Sequence, residues 1–297
     1  MPSVIYIGSP AQLPFLSQGR VALVDVAFAH GKGYELATRP FLEELGERLA
    51  LWVDHHDHPA WHLVAGDPRF VLVDRRRAPA CPQLITPELV AGAGKVDTVV
   101  AHLDFDGVIS ACKFLLGGRS PYAAADEDAR AVDTPGRGYE LSGAGARLAG
   151  ALSHGRDTLD TSPHRRFLAE VTEALRQGSE PAYLRRQIDD LAAGYRQDQE
   201  LATRIAMQAG FPHPQIAWLR VGQRYPDGVR KAVLRRLQDE HRVAVMEEGD
   251  SFTVATYDDE IDLSFLPGVR GGRTYVWGYA DGKKLLAKLV LLLRKMP

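Results

Sequence analysis

Four short runs, apolar at nearly every position, each end in a side chain that can bind a cation or a proton. No other feature constrains the chain as much. The runs are residues 21–25, 51–54, 70–74 and 98–102, and they end in Asp25, Asp54, Asp74 and His102. A run without a polar face suits a strand buried on both sides of a parallel sheet. In open α/β sheets ligands collect beyond the carboxyl ends of the strands. Any one of these aspartates could simply cap the turn that follows it. Four polar ends together favour a shared crevice.

The segments between these strands carry helical spacing, as in residues 40–49, where Leu42, Leu45 and Leu49 share one face. Residues 136–163 are rich in Gly, Ser, Thr and Asp and read as loop around an Ala/Leu segment. From residue 164 to 210 the chain becomes charged and amphipathic. One stripe holds Phe167, Val171 and Leu175; a second holds Leu184, Ile188, Leu191 and Tyr195. Strands are then expected at residues 215–221, 243–246 and 252–257, with a helix at 228–241. A Gly-rich stretch, 268–278, precedes a closing helix from Lys283. That helix is apolar on most sides, which suits the interior of its lobe or a homodimer interface. The expected class is α/β: a parallel-sheet domain at 1–160, a helical connector at 161–210 and a smaller α+β domain at 211–297. The alternative for the connector is that it completes the first core.

Composition excludes several roles. Thirty-six Lys and Arg against 38 Asp and Glu leave a formal net charge of −2 over 297 residues. That balance argues against a basic nucleic-acid coat or a polybasic membrane anchor. Two cysteines, Cys81 and Cys112, provide neither a disulfide framework nor a cysteine zinc site. Residues 3–7 follow Met1 without a basic leader, and the longest apolar stretch, 285–293, contains Lys288. A cytoplasmic protein with no membrane partner is expected.

Five of the ten histidines fall between His55 and His102, and two motifs account for four of them. In the first, His102, Asp104 and Asp106 alternate with Leu103 and Phe105 directly after a strand, and Gly107 leads into helix-like residues 108–116. At period two the three polar side chains project to one side of an extended chain. Carboxylates with one imidazole suit Mn²⁺ or Mg²⁺. A helix N-terminus beside them favours phosphate. The second motif is Asp54-His55-His56-Asp57-His58. It offers imidazole ligands, a carboxylate to orient a ring, and a spare histidine as proton donor. Two such clusters can hold two cations that clamp a phosphate and activate water.

Asp54-His55-His56 resembles the namesake triplet of the DHH phosphoesterase superfamily, which includes RecJ-type exonucleases, oligoribonucleases, cyclic-dinucleotide phosphodiesterases and pyrophosphatases. His102-x-Asp104-x-Asp106-Gly107, followed by Ser110-Ala111, resembles its first metal motif. Asp25 resembles the isolated second-motif aspartate that bridges two metals, and Asp133 the fourth-motif aspartate. Residues 70–85, with Arg75, Arg76, Arg77, Ala80 and Cys81, resemble the segment after the triplet. Gly271-Gly272-Arg273 resembles a degenerate Gly-Gly-His signature of the C-terminal substrate domain. In the family the first metal motif precedes the triplet; here it follows, so the resemblance implies a permuted order.

The resemblance further implies two Mn²⁺ or Mg²⁺ per site. One would be held by His102, Asp104 and Asp25, the other by Asp106, Asp25, His55 and Asp133. His56 would donate the proton, and Asp54 stands beside it as the second catalytic residue. Arg273, Arg270, Gly271 and Gly272 would bind substrate phosphate, and Trp277 and Tyr279 could stack a base; Arg75–Arg77 could also hold substrate phosphate, with a solvated charged turn as the favoured reading of that run. Asp74, His58 and His62 are read as structural or surface residues. The expected activity is hydrolysis of a phosphodiester or phosphomonoester in a small nucleotide or short single-stranded oligonucleotide. Two alternatives stay open: a catalytically silent nucleotide binder, and a single-strand exonuclease. The near-neutral charge disfavours tracking along a long strand.

Overall fold

The computed structural model describes residues 2–29, 33–134, 138–258, 260–279 and 281–294. The chain divides into two units, Met1–Ala192 and Ala193–Pro297.

The first unit holds a five-stranded sheet: β1 (Ser3–Ile7), β2 (Val21–Val24), β3 (Leu49–Asp54), β4 (Phe70–Leu72) and β5 (Thr98–His102). Three of the apolar runs form its central strands β5, β2 and β3, and the run at 70–74 forms the edge strand β4, which ends at Leu72, before Asp74. Their order is β1-β5-β2-β3-β4, and every pairing is parallel. All residues of β2 and β3 are buried, as expected for strands covered on both faces. Val24 lies opposite both Ala101 and Val53. That register brings Asp25, Asp54 and His102 to one edge of the sheet. The Asp25 amide extends the ladder by donating to the Val53 carbonyl at 2.9 Å. β1 has an ordinary edge-strand sequence and no polar end, so the pattern of polar strand ends does not pick it out.

One sheet face is packed by Trp52, Phe28, Phe41, Leu23 and Leu49, beneath α1 (Arg39–Leu45). The expected helix over 40–49 is shorter than its leucine spacing suggests. Gly46 takes a positive φ of 53° after Leu45, and Leu49 already belongs to β3. The opposite face is covered by α2 (Pro87–Ala93), α3 (Phe105–Leu115), α4 (Ala125–Asp133), α5 (Gly143–Thr158) and α6 (Thr161–Gln177). The helix α5 replaces most of the loop expected over 136–163. Ser142 caps it by accepting from the Gly145 amide at 3.0 Å, and Leu148, Ala151 and Leu152 bury in the core. Its glycine content misled because Gly145 fits against Asp128, where a Cβ would come within 2.2 Å of the carboxyl.

Residues 161–210, expected as a connector, contribute to both cores. Phe167, Leu168 and Val171 of α6, with Leu184 and Ile188 from the start of α7 (Ala182–Ala206), belong to the first. Ala202 and Ile205 near the end of α7 belong to the second.

The second unit is α+β. Its strands are β6 (Gly210–His213), β7 (Ile216–Val221), β8 (Val243–Glu248), β9 (Ser251–Ala255), β10 (Val269–Gly271) and β11 (Tyr275–Tyr279), in the order β10-β11-β9-β8-β7-β6. β7 and β8 are parallel, joined through α8 (Asp227–Gln238); the other pairs are antiparallel. α8 packs on one face, and α9 (Gly282–Arg294) covers the other with Leu285, Leu289 and Leu293. Among the described residues no helix is long and apolar enough to cross a membrane.

One buried charge ties together three elements around the crevice. Lys113 of α3 is buried, donates to the Pro82 carbonyl at 2.9 Å and forms an ion pair with Asp126 of α4. Removing one partner of a buried pair costs about 3–5 kcal/mol. Lys113→Ala is therefore expected to lower unfolding stability by about 3 kcal/mol. Urea titration should show a reduced midpoint at unchanged slope; an unchanged midpoint would show that Lys113 does not brace these elements.

Candidate metal centre

The end of β2 carries the least ordinary residue of the first unit. Asp25 has a φ of 57°, the sole positive φ among described non-glycine residues, and its side chain is 1% exposed. Aspartate tolerates this region better than most residues, but it is seldom adopted without a reason. Neither carboxyl oxygen of Asp25 has a hydrogen-bond partner. Burial, with Asp104 nearby, pushes this carboxyl well above the usual aspartate range.

His55 follows β3 and is fully buried. Its Nδ1 lies 3.0 Å from the Ala78 carbonyl. A carbonyl can only accept, so Nδ1 donates to it and Nε2 is the ring atom left facing the cluster. Nε2 lies 3.4 Å from an oxygen of Asp25, 3.4 Å from Asp106 and 3.5 Å from Asp133, and makes no hydrogen bond. Three carboxylates that converge on one point repel one another unless something positive stands among them. Asp106, in the first turn of α3, is held by the Cys81 amide at 3.1 Å, which leaves its Oδ1 without a partner. Burial and the neighbouring Asp25 raise its carboxyl too.

The strand β5 supplies the other flank. His102 Nδ1 contacts Asp104 at 2.7 Å and lies 4.0 Å from Asp25. Burial opposes a charge on His102, but Asp104 and Asp25 outweigh it and push the imidazole up to about 9. Burial likewise works against ionised Asp104, and His102 with the Gly107 amide holds it below the usual carboxylate range. Asp104 also caps α3 through that amide at 3.0 Å. Gly107 is required there, since a Cβ would come within 2.0 Å of the His102 carbonyl oxygen. The motif thus lets a helix begin directly against a strand end.

Asp54 is buried and fully employed. It accepts from the Phe28 amide at 2.9 Å and the His56 amide at 3.1 Å, and contacts His56 Nδ1 at 2.7 Å. His56 is consequently oriented by Asp54, with Nε2 as its free end. Arg75 pairs with Asp133 at 3.1 Å. Burial works against its charge, but Asp133, Asp25 and Asp106 prevail and raise its already high pKa. It is thus a cation of this cluster, and the solvated-turn reading of its run does not apply to it.

Potential ligand atoms fall into three groups, each within 4.8 Å: Asp25 with His102 and Asp104, Asp25 with His55 and His56, and His55 with Asp106 and Asp133. The structure thus brings together Asp25, His55, His56, His102, Asp104, Asp106 and Asp133, with Asp54 behind His56. The unpartnered carboxyl oxygens and the unpartnered Nε2 of His55 fit a divalent cation, because hard carboxylates with imidazole are its usual donors. His58, Asp74 and His62 serve elsewhere. His58 caps the turn at Pro59–Val64, Asp74 accepts from the Arg76 and Arg77 amides, and His62 is exposed. Gly271, Gly272, Arg270 and Arg273 belong to the second unit; Gly271 has a φ of 126°, and Arg273 pairs with Asp262 at 3.4 Å. Sequence reasoning missed the Ala78 carbonyl and the Cys81 amide, since backbone groups leave no residue-type signal.

Relieving the repulsion should show in stability. Asparagine at position 25 tolerates the left-handed backbone and carries no charge. A carboxyl whose pKa is raised on folding costs stability above its folded pKa, and the cost disappears as pH falls to the unfolded value, about 3.9. In the presence of a chelator, Asp25→Asn is therefore expected to stabilise by on the order of 1 kcal/mol at pH 8, with the gain shrinking toward pH 4. Thermal melts across pH test this; a destabilised Asp25→Asn at pH 8 would show that Asp25 is stably accommodated without a cation.

No protein-family model matches the chain, and no curated protein matches it in sequence. Solved structures do. A pGpG-specific phosphodiesterase, PggH from Vibrio cholerae, is similar with a TM-score of 0.54 at 10% identity, over 93% of this chain and 98% of that one. A manganese-bound RecJ exonuclease is similar with a TM-score of 0.48 at 16% identity, over 92% and 74%. RecJ from Thermus thermophilus with Mn²⁺ scores 0.43 at 14% identity, over 93% and 45%. The fold, a parallel five-stranded sheet followed by a second mixed sheet, is shared with PggH.

Proposed function

We propose that the first unit hydrolyses a phosphodiester or phosphomonoester bond, using two divalent cations, in a small nucleotide or short oligonucleotide. The observation that carries this reading is the sharing of Asp25. It stands between a His102–Asp104 group and a His55–Asp106–Asp133 group, and both its oxygens are unpartnered. Asp25, His102 and Asp104 would hold one Mn²⁺ or Mg²⁺; Asp25, His55, Asp106 and Asp133 would hold the other. Cations so held supply Lewis acidity at phosphate oxygens and acidify a water for in-line attack.

The remaining steps belong to the chain's own groups. Asp54 fixes the His56 ring from behind, so Nε2 can deliver a proton to the leaving oxygen. Arg75, anchored on Asp133, can turn its remaining N–H groups to a non-bridging oxygen. The pGpG specificity named for PggH, which shares this fold, supports a short substrate, as does the net charge of −2.

The test is Mn²⁺-dependent product release from a panel: a linear dinucleotide, a cyclic dinucleotide, a nucleoside bisphosphate, pyrophosphate and a long single strand. Hydrolysis of a short nucleotide is expected, with His55→Ala and Asp104→Ala each lowering the rate by about 10³-fold or more. A wild-type protein inert on the whole panel yet able to bind a nucleotide would be a silent binder. Preference for the long strand would make it an exonuclease.

Arg75 separates metal binding from substrate binding. Arg75→Met removes a positive charge from the ligand cluster and a phosphate donor with it. Calorimetry should show Mn²⁺ bound about tenfold more tightly, while inhibition by inorganic phosphate weakens about tenfold. Parallel losses of both would assign Arg75 a merely structural part.

A further inference from the structure

The second unit holds an open cavity of 840 Å³ bounded by β6, β7, β8 and the start of α9, and it shares no residue with the metal centre. Strand register sets its floor. Arg220 of β7 stands directly opposite Glu247 of β8, and Trp218 lies two residues before Arg220 on the same face. That face is the one α9 covers, since Trp218 packs against the cluster that contains Leu285 and Leu289. The cover begins only at Gly282, the first residue of α9, and beside it Trp218, Arg220 and Glu247 line the cavity. Leu286 and Phe211, the latter 60% exposed, add an apolar wall.

The indole is held in place. Its Nε1 donates to Glu247 Oε2 at 2.8 Å, its ring meets Phe252 edge-on at 5.5 Å, and a Cβ on Gly282 would lie 3.6 Å from it. The charged groups around it are committed at one end only. Buried Glu247 also takes the Arg220 Nε on Oε2, at 3.0 Å, so Oε1 accepts no hydrogen bond among the described residues. Arg220 is 76% exposed on its side chain and keeps its two terminal nitrogens. Asp281 takes the Lys283 and Lys284 amides on Oδ1 and keeps Oδ2. Lys283 lines the cavity and forms no ion pair among the described residues. The lining therefore carries two carboxylates and two cations, a net charge of zero. A phosphate dianion would meet as many carboxylates as cations here. A ligand with one positive and one negative end finds a partner for each.

We propose that this cavity binds a zwitterion that carries a large apolar group, the chemistry of an aromatic amino acid or a short peptide, independently of the metal centre. The ammonium is received by Glu247 Oε1, and the carboxylate by the terminal nitrogens of Arg220 with Lys283 as the second cation. The apolar group lies against Trp218, Phe211 and Leu286. Glu247 and Arg220 are side by side across the β7–β8 ladder, and the ammonium and carboxylate of an α-amino acid are likewise separated by a single carbon. The ends of a peptide stand further apart, and Asp281 is then the carboxylate within the lining that meets the ammonium.

Isothermal titration of the full chain in excess chelator tests the proposal. The titrants are L-phenylalanine, phenylalanylglycine, phenethylamine (no carboxylate), phenylpropionate (no ammonium) and inorganic phosphate. At least one of the two zwitterions is expected to bind, with each one-ended analogue and phosphate weaker by about tenfold or more. Tighter binding of phenylalanylglycine assigns the site to a peptide, and tighter binding of L-phenylalanine assigns it to a free amino acid. Arg220→Gln and Glu247→Gln should each weaken the tighter zwitterion by about tenfold or more. Arg220 is exposed, so Arg220→Gln tests the site even where Glu247→Gln melts early, and unaltered melting curves verify that a variant is folded. The proposal is overturned by an absence of binding for both zwitterions, by one-ended analogues that bind as tightly, or by phosphate that binds more tightly. Binding that needs Mn²⁺, or that survives Arg220→Gln unweakened, overturns it as well. None of these outcomes depends on hydrolysis, so failure here and failure of the phosphoesterase reading are distinguishable.

Discussion

The first unit is organised around an electrostatic conflict. Asp25, Asp106 and Asp133 converge on one histidine nitrogen, in surroundings from which water is largely excluded. Buried like charges are among the least favourable arrangements a fold can contain. The chain nevertheless adopts an uncommon backbone conformation at Asp25 to make it. The Ala78 carbonyl and the Cys81 amide then fix His55 and Asp106 so that neither can turn aside. Such an arrangement makes physical sense when a cation completes it, and Arg75 supplies only part of the missing charge.

The parallel sheet makes this convergence possible. Parallel strands place all their carboxyl ends on one edge, and in the register of β5, β2 and β3 these ends stand side by side. Chain order is then secondary. A motif on β5 and a triplet on β3 meet across β2 although the triplet comes first in the sequence. The permuted order implied by the family resemblance therefore leaves a geometrically complete cluster.

Much of this was legible in the sequence because it rests on patterns with a fixed period. Apolar runs ending in Asp25, Asp54 and His102 marked the strands, and the alternation of His102, Asp104 and Asp106 marked the helix start against β5. Backbone donors and acceptors left no trace, so the supports of His55 and Asp106 were invisible. Arg75 sits in a run of three arginines, and only the fold distinguishes it from Arg76 and Arg77. Composition misled over 143–158, where glycines serve close packing against Asp128 and not flexibility. In the second unit, Arg270 and Arg273 looked equivalent beside the paired glycines. The hairpin register separates them, placing Arg270 beside Trp277 and leaving Arg273 with Asp262.

The central claim is that the cluster around Asp25 is built to be completed by cations, and diffraction at the manganese absorption edge tests it most directly. Crystals equilibrated with Mn²⁺ should give two anomalous peaks in the first unit. One should be bounded by Asp25, His102 and Asp104, the other by Asp25, Asp106, Asp133 and Nε2 of His55. Absence of both peaks, with His55 Nε2 hydrogen-bonded to a protein carboxyl, would contradict the account.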